Sequence, residues 1–172
     1  MLSQSTLRPG DIPVGLHLVT HPGEGYEALA TLFGTSTSAA HRAVGRLEHA
    51  GLLLPGERGA NREAVTEFLA HGIRYAFPPV RGPETRGMPT AWSAPALAGV
   101  LPQGPPVVWP TEHGTARGEA LAPLSDKVPD AARRDPWLYE MLALVDAIRL
   151  GQARDRTLAA ERLTQRLREV PR

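Results

Sequence analysis

The spacing of apolar residues predicts helices at both ends of the chain and extended structure between them. In the first 77 residues, apolar positions recur every three or four residues in "DIPVGLHLVTH", "YEALATLF" and "STSAAHRAVGRLEHA". This spacing places apolar side chains on one face of a helix, and Asp11 is a suitable N-cap for the first one. A fourth helix is predicted from the cap Asn61 to Gly72, and the alternating "IRYAF" after it predicts a strand.

Residues 78–128 interrupt the helical pattern because they are rich in proline and glycine, which break regular helix. Met88, Trp92, Leu97, Val100 and Leu101 indicate that this segment packs as an extended layer instead of forming a free tether. "PPVVWP" and "ARGEALAPL" flank "TEHGT", and this arrangement predicts a β-hairpin.

Residues 129–172 return to a helical pattern and predict a pair of helices. Asp135 followed by Pro136 is a helix start signal. The helix after it, "PWLYEMLALVDAIRL", is apolar around its whole circumference. The stripe of Leu158, Leu163, Leu167 and Val170 can cover only one side of it. The other side must meet the proline-rich layer or a second subunit, so we predict a homodimer built on residues 136–170.

Residues 26–54 meet the mechanical needs of a helix-turn-helix. Ala30 is small enough for a second helix to cross closely, Gly34 tolerates the positive φ of the turn, and Ser36 can cap the second helix. Ala40, Val44 and Leu47 form its apolar face. Small or hydrogen-bonding side chains lie on the opposite face, which suits contact with base edges and phosphates: Thr37, Ser38, His41, Arg42 and Gly45.

The same segment resembles the winged helix-turn-helix of bacterial transcription regulators of the MarR and GntR types. The matching elements are "EALATLFG", the Ser-capped "STSAAHRAVGRLE" and "HAGLLL", within residues 10–77. The resemblance implies a DNA-binding domain with its recognition helix at about 37–50. The wing departs from the family pattern, because "LLLPGERGAN" leaves room only for a tiny hairpin with one basic tip residue, Arg58.

The predicted fold is therefore mainly α within the α+β class. It consists of a winged helix-turn-helix domain at 1–77, a Pro/Gly-rich extended segment at 78–128, and a C-terminal helical pair at 129–172 that we expect to mediate oligomerisation. The predicted DNA-binding residues are Ser36, Thr37, Ser38, His41, Arg42, Arg46 and Arg58.

Composition narrows the function classes. The chain has 172 residues, no cysteine and a formal net charge of +1, so charge alone does not indicate nucleic acid. The lack of cysteine and of any long apolar run fits a cytoplasmic protein without a membrane span. His17 and His21 are spaced for one metal ion but have no third ligand nearby in sequence, so we predict no metal and no cofactor.

No pattern in the chain predicts an enzyme. Ser93 has no flanking glycine elbow, and "GPETRG" lacks the Lys-Ser/Thr of a phosphate-binding loop. Arg149, Arg154 and Arg156 cluster at a helix break, where acids such as Asp146 and Asp155 can pair with them.

The leading prediction is a sequence-specific transcriptional regulator that binds double-stranded DNA as a homodimer. The alternative is a protein-interaction adaptor. The stretch "IRLGQARDRTLAAERL" at residues 148–163 resembles the ends of small bacterial regulators encoded beside a nucleotidyltransferase-like toxin, which implies an antitoxin-like module. That module would bind a partner protein through the winged helix and the proline-rich segment.

Overall fold

A computed structural model describes residues 5–172 and shows an α+β protein of helices with two small sheets. Internal contacts divide the chain into two compact units: unit 1 is Met1–Val65 and unit 2 is Thr66–Arg172. In the described part of the chain, no helix is both long enough and apolar enough to cross a membrane.

Unit 1 is built around one central helix. Its elements are α1 (Asp11–Thr20), α2 (Tyr26–Leu32), α3 (Thr37–His49), β1 (Leu53–Leu54), β2 (Gly59–Ala60) and the start of α4 (Arg62–Glu67). Both α1 and α2 pack against α3. Gly15 allows α1 to come close, since a Cβ there would lie 3.3 Å from a methyl carbon of Leu47. The predicted N-cap of α1 is wrong: Asp11 is the first residue of the helix, and Gly10 occupies the cap position.

The tiny hairpin predicted after α3 is confirmed. Strands β1 and β2 pair antiparallel, Leu53 with Ala60 and Leu54 with Gly59. Asn61 then caps α4 as expected, because its Oδ1 accepts a hydrogen bond of 3.2 Å from the amide of Ala64.

The predicted strand "IRYAF" is wrong, because the helical path continues through it. After α4, a π-helical turn spans Phe68–Gly72 and leads directly into α5 (Ile73–Ala76). Gly72 keeps helical backbone angles and does not end the helix. A Cβ at Gly72 would lie 2.9 Å from the Phe68 ring, so glycine serves packing inside the π turn. The five-residue alternation was too short to distinguish a strand from a half-buried helix.

The proline-rich segment forms an ordered sheet of three strands: β3 (Arg81–Pro89), β4 (Val107–Pro110) and β5 (Ala116–Leu121). The two predicted strands exist, but they do not form a hairpin with each other. They run parallel, and each pairs antiparallel with β3. Gly87 pairs with both Pro110 and Ala116, which marks the point where β3 changes partner. A Cβ at Gly87 would lie 2.1 Å from the carbonyl oxygen of Trp109, so only glycine permits this approach.

The C-terminal helices are α6 (Val128–Arg134), α7 (Pro136–Leu150) and α8 (Ala153–Glu169). Asp135 caps α7 as predicted, accepting a 3.0 Å hydrogen bond from the amide of Leu138. Helix α7 is buried almost all round: α8, α6, α5 and the two 3-10 turns of the proline-rich segment, Ala91–Ser93 and Pro95–Leu97, pack against it. We predicted that the side of α7 left open by α8 meets either the proline-rich segment or a second subunit. The structure shows the proline-rich segment there. The apolar surface of α7 no longer argues for a second subunit.

Asp146 forms a buried hydrogen-bond network that connects three parts of unit 2. Its carboxylate is 2% exposed and accepts hydrogen bonds from Thr90 Oγ1 (2.7 Å), Trp109 Nε1 (2.7 Å) and Arg149 Nη1 (3.0 Å). Arg149 also donates to the carbonyl oxygens of Phe77 and Pro78 at the end of α5. Burial raises the pKa of Asp146, while Arg149 and the two neutral donors oppose that rise. The predicted pairing of Arg149 with Asp146 is confirmed.

Candidate nucleic-acid interface

The turn between α2 and α3 has the geometry expected for it. Gly34 adopts φ +56°, a conformation that side chains disfavour, and the amide of Thr35 donates to the carbonyl of Ala30 at 2.9 Å. Ser36 is the N-cap of α3, since its Oγ accepts a 3.0 Å hydrogen bond from the amide of Ala39. Ala30 is buried. The turn therefore fixes where α3 begins and which of its faces points outward.

Helix α3 separates its residues cleanly between two faces. Its buried face consists of Ala40, Ala43, Val44 and Leu47. The exposed residues follow a stripe along the other side, which we call the outer face: Thr37, Ser38, His41, Arg42, Gly45 and His49. At 3.6 residues per turn these positions span about 140° of the helix surface. The outer face contains no large apolar side chain, and its only permanent charge is Arg42.

Gly45 lies near the middle of the outer face, in the interior of an exposed helix. A Cβ built there meets no heavy atom within 4 Å, so the packing of unit 1 does not require a glycine. Glycine in a helix interior costs about 1 kcal/mol relative to alanine. A residue that is costly and structurally unnecessary is consistent with a partner that approaches the helix backbone closely.

Arg46 does not lie on the outer face. Its guanidinium makes a two-point ion pair with Asp11 of α1, with Nε–Oδ2 and Nη2–Oδ1 both 2.8 Å. The arginine side chain is 14% exposed and the Asp11 side chain 2%. The hydrogen bond to Asp11 raises the pKa of Arg46. This predicted DNA-binding residue is instead placed to fix α3 against α1.

Arg58 is likewise engaged within unit 1. It stands in the β1–β2 loop with φ +45°, and its guanidinium donates to the carbonyls of Glu24 (2.9 Å) and Gly23 (3.1 Å). Its Cζ lies 5.1 Å from the ring centroid of Tyr26. The Tyr26 ring in turn contacts His41, with centroids 4.9 Å apart. Arg58 and Tyr26 thus connect the hairpin to the outer face and hold the His41 ring.

Other polar contacts within unit 1 also serve its own geometry. Glu48 Oε1 accepts from the amide of Gly56 at 3.2 Å, which anchors the hairpin loop to α3. The rings of His17 and His21 stack with centroids 4.2 Å apart, and His17 Nε2 pairs with Glu24. The unit has five arginines against six acidic residues, so it has no net positive charge.

Comparisons with known proteins found no match: no protein-family model, no curated protein and no solved structure matches this chain. The case for a function therefore depends on the geometry of the outer face.

The structure brings five of the seven predicted site residues onto that face or its N-terminal end: Ser36, Thr37, Ser38, His41 and Arg42. It places Arg46 and Arg58 in contacts within unit 1. Sequence reasoning missed Tyr26 as the support of His41, and nothing local signals it, because the two residues meet only when α2 packs on α3. Gly45 was placed on this face by the sequence but was not counted among the DNA-binding residues, and the low helix propensity of glycine was the signal for its role.

Proposed function

We propose that unit 1 is a winged helix-turn-helix domain that binds double-stranded DNA through the outer face of α3. The observation that carries the proposal is the combination of an exposed glycine at the centre of that face with small hydroxyl residues, a histidine and one arginine around it. A major groove admits one helix, and close approach favours small side chains beside one or two long readers. A face that met only solvent would not need such a glycine.

The roles follow from position. Thr37, Ser38 and Arg42 stand in the first two turns, where a recognition helix contacts base edges, and Arg42 is the side chain with the reach and donor geometry to read guanine. The His41 ring packs against Tyr26, with ring centroids 4.9 Å apart. Arg46 and Arg58 position α3 and the hairpin, so the proposal assigns them no contact with DNA.

One copy of this face offers few phosphate contacts, so we further propose that two copies bind together as a homodimer. Two recognition helices set one helical turn of DNA apart, about 34 Å, double the contacts made by each. The dimer contact is not placed on α7, whose surface the chain itself covers.

The experiment is selection of random duplexes by the full chain, followed by quantitative binding with Arg42→Ala. Because Arg42 is exposed, its loss should leave the melting temperature unchanged and cost about 1–3 kcal/mol of specific binding. Arg134→Ala, an exposed arginine in α6 that removes the same charge, is the matched control and should bind as the parent does. Equal affinity of Arg42→Ala and the parent would reject the proposed interface.

The balance of five arginines and six acids in unit 1 favours a second candidate, a protein-interaction module. In that case the same face and the proline-rich segment would bind a partner protein, as an adaptor or antitoxin does. The two candidates differ in their salt dependence. The affinity for DNA should fall steeply as the salt concentration rises: a plot of log K against log salt concentration should have a slope of about −0.9 per neutralised phosphate. The affinity of a close-packed protein contact should change little with salt.

A further inference from the structure

Unit 2 contains a groove of about 800 Å³ between the helical stretch at 70–75 and one face of α8. Along α8 the lining runs from Ala153 to Glu169, which corresponds to about 24 Å at 1.5 Å per residue. The volume lies within the range of about 300–1,000 Å³ found for sites that bind small organic ligands. The other wall includes the end of the π-helical turn, a feature that is frequent at functional sites.

Small residues of α8 form part of one wall of the groove, and charged side chains stand on both walls. Ala153, Thr157, Ala160 and Thr164 follow one another along α8. The two threonine hydroxyls donate to carbonyls of their own helix, at 2.9 and 2.8 Å. These small residues therefore mainly present methyl groups, and recognition of a polar ligand falls to the charged side chains of the two walls.

Those side chains give the groove a positive character in a protein of formal net charge +1. Four basic residues line it: His71, Arg74, Arg156 and Arg168. The two acids are Glu161 and Glu169, and Arg166 engages Glu169 at 2.7 Å, which lowers the pKa of that carboxylate. Within residues 5–172, no carboxylate forms an ion pair with Arg74, Arg156 or Arg168. Arg156 Nη1 donates to the carbonyl of Gly151 at 2.9 Å, so Arg74 and Arg168 are the guanidinium groups best placed to donate hydrogen bonds to an anionic ligand.

An exposed aromatic ring completes the set. The side chain of Tyr75 is 73% exposed, the largest exposure among the big apolar residues described. The guanidinium of Arg74 lies 4.9 Å from the ring centroid and occupies one side of it. An aromatic ring beside arginine is the arrangement on which nucleobases stack, and each stacked base contributes appreciably to binding.

We propose that this groove binds a nucleotide, with its phosphates on the guanidinium groups of the walls and its base against the Tyr75 ring. A phosphate accepts two parallel hydrogen bonds from a guanidinium, and a base offers the flat face that Tyr75 requires. The site lies wholly within unit 2 and shares no residue with the outer face of α3. It therefore does not rest on the proposed DNA-binding function.

The test is calorimetric titration of the full chain, without divalent cations, with each of ATP, GTP, CTP and UTP and with inorganic tripolyphosphate. At least one nucleotide should bind with a Kd below about 1 mM, the weak end of specific affinities. Arg168→Gln and Arg74→Gln should each weaken it about tenfold, because each removes a hydrogen bond to a charged group. Tyr75→Ala should weaken the nucleotide but leave tripolyphosphate unchanged.

Arg154→Gln is the matched control, since Arg154 is an exposed arginine of α8 that does not line the groove. It should bind the nucleotide as the parent does. Circular dichroism should show that all variants keep the parent fold, because the altered side chains are largely outside the core. The proposal is overturned if none of the four nucleotides binds at millimolar concentration. It is also overturned if Arg154→Gln weakens binding as much as Arg168→Gln does. Equal binding of tripolyphosphate and nucleotide, unaffected by Tyr75→Ala, would overturn the base-stacking part.

Discussion

Replacing Gly45 with alanine should separate stability from binding in unit 1. The added Cβ meets nothing within 4 Å, so the fold can accept it without strain. Alanine removes the backbone entropy cost of glycine in a helix, and we expect a gain of about 0.5–1 kcal/mol in the free energy of unfolding. If unit 1 unfolds by itself, a change of that size raises its melting temperature by roughly 2–8 °C.

The same methyl group should weaken binding if a partner packs closely on the outer face. Overfilling a close-packed contact costs about 1–3 kcal/mol, which corresponds to a loss of affinity of roughly 5- to 150-fold. Thermal unfolding followed by circular dichroism measures the first effect, and fluorescence anisotropy with the selected duplex measures the second. The expected result is a protein that is more stable and binds less.

Ala28→Gly is the matched control for this prediction. Ala28 is exposed on α2 and lies outside the outer face. Its replacement should lower stability by about 1 kcal/mol and leave binding unchanged, which shows that stability and affinity vary independently. Parent-like affinity of Gly45→Ala would refute close approach at α3. A failure of Gly45→Ala to gain stability would refute the inference that the position is open.

Three further predictions concern unit 2. Asp146→Ala should lower the free energy of unfolding in urea by about 3–5 kcal/mol, because it leaves Arg149 buried without its carboxylate. Asp130→Ala, which breaks an exposed pair with Arg133, should cost less than about 1 kcal/mol, and equal costs would contradict the assigned role of Asp146. Gly87→Ala should be strongly destabilising. Gly82→Ala in the same strand should be only mildly destabilising, because its Cβ would lie 3.4 Å from Ala120. The reverse order of melting temperatures would be inconsistent with the described sheet. Burial raises the pKa of Tyr139 from 10.0 to about 12, so alkaline titration at 295 nm should show one of the three tyrosines ionising late, and Tyr139→Phe should remove that step. Because folding raises the pKa of Tyr139, its un-ionised side chain contributes to the stability of the fold fully below about pH 10, and this contribution is lost as the pH rises toward 12. Simultaneous ionisation of all three tyrosines would contradict this prediction.

Local signals in the sequence determined most of the helices and their starts. Ser36, Asn61 and Asp135 were identified as caps because a short polar side chain before an apolar periodic run satisfies the first free amides, and each makes the expected hydrogen bond. Gly34 was identified because a tight turn needs positive φ. These features depend on residues within three or four positions of one another, so a single sequence contains the information.

Tertiary packing decided the features that depend on residues far apart in the sequence. The alternation in "IRYAF" predicted a strand, but packing carried the helix through Gly72 in a π turn. The strands β4 and β5 were recognised, yet their pairing with β3 depends on the close approach at Gly87, which no neighbouring residue indicates.

The same distinction applies to the candidate sites. The pattern of α3 placed Thr37, Ser38, His41 and Arg42 on one exposed face, because helical spacing alone fixes which residues share a face. It could not show that Arg46 is held by Asp11, 35 residues away, or that Arg58 is held by backbone carbonyls next to Tyr26. An arginine's partners are set by the elements that fold against it, and the groove beside Tyr75 exists only because α8 packs near a helical stretch about 80 residues earlier.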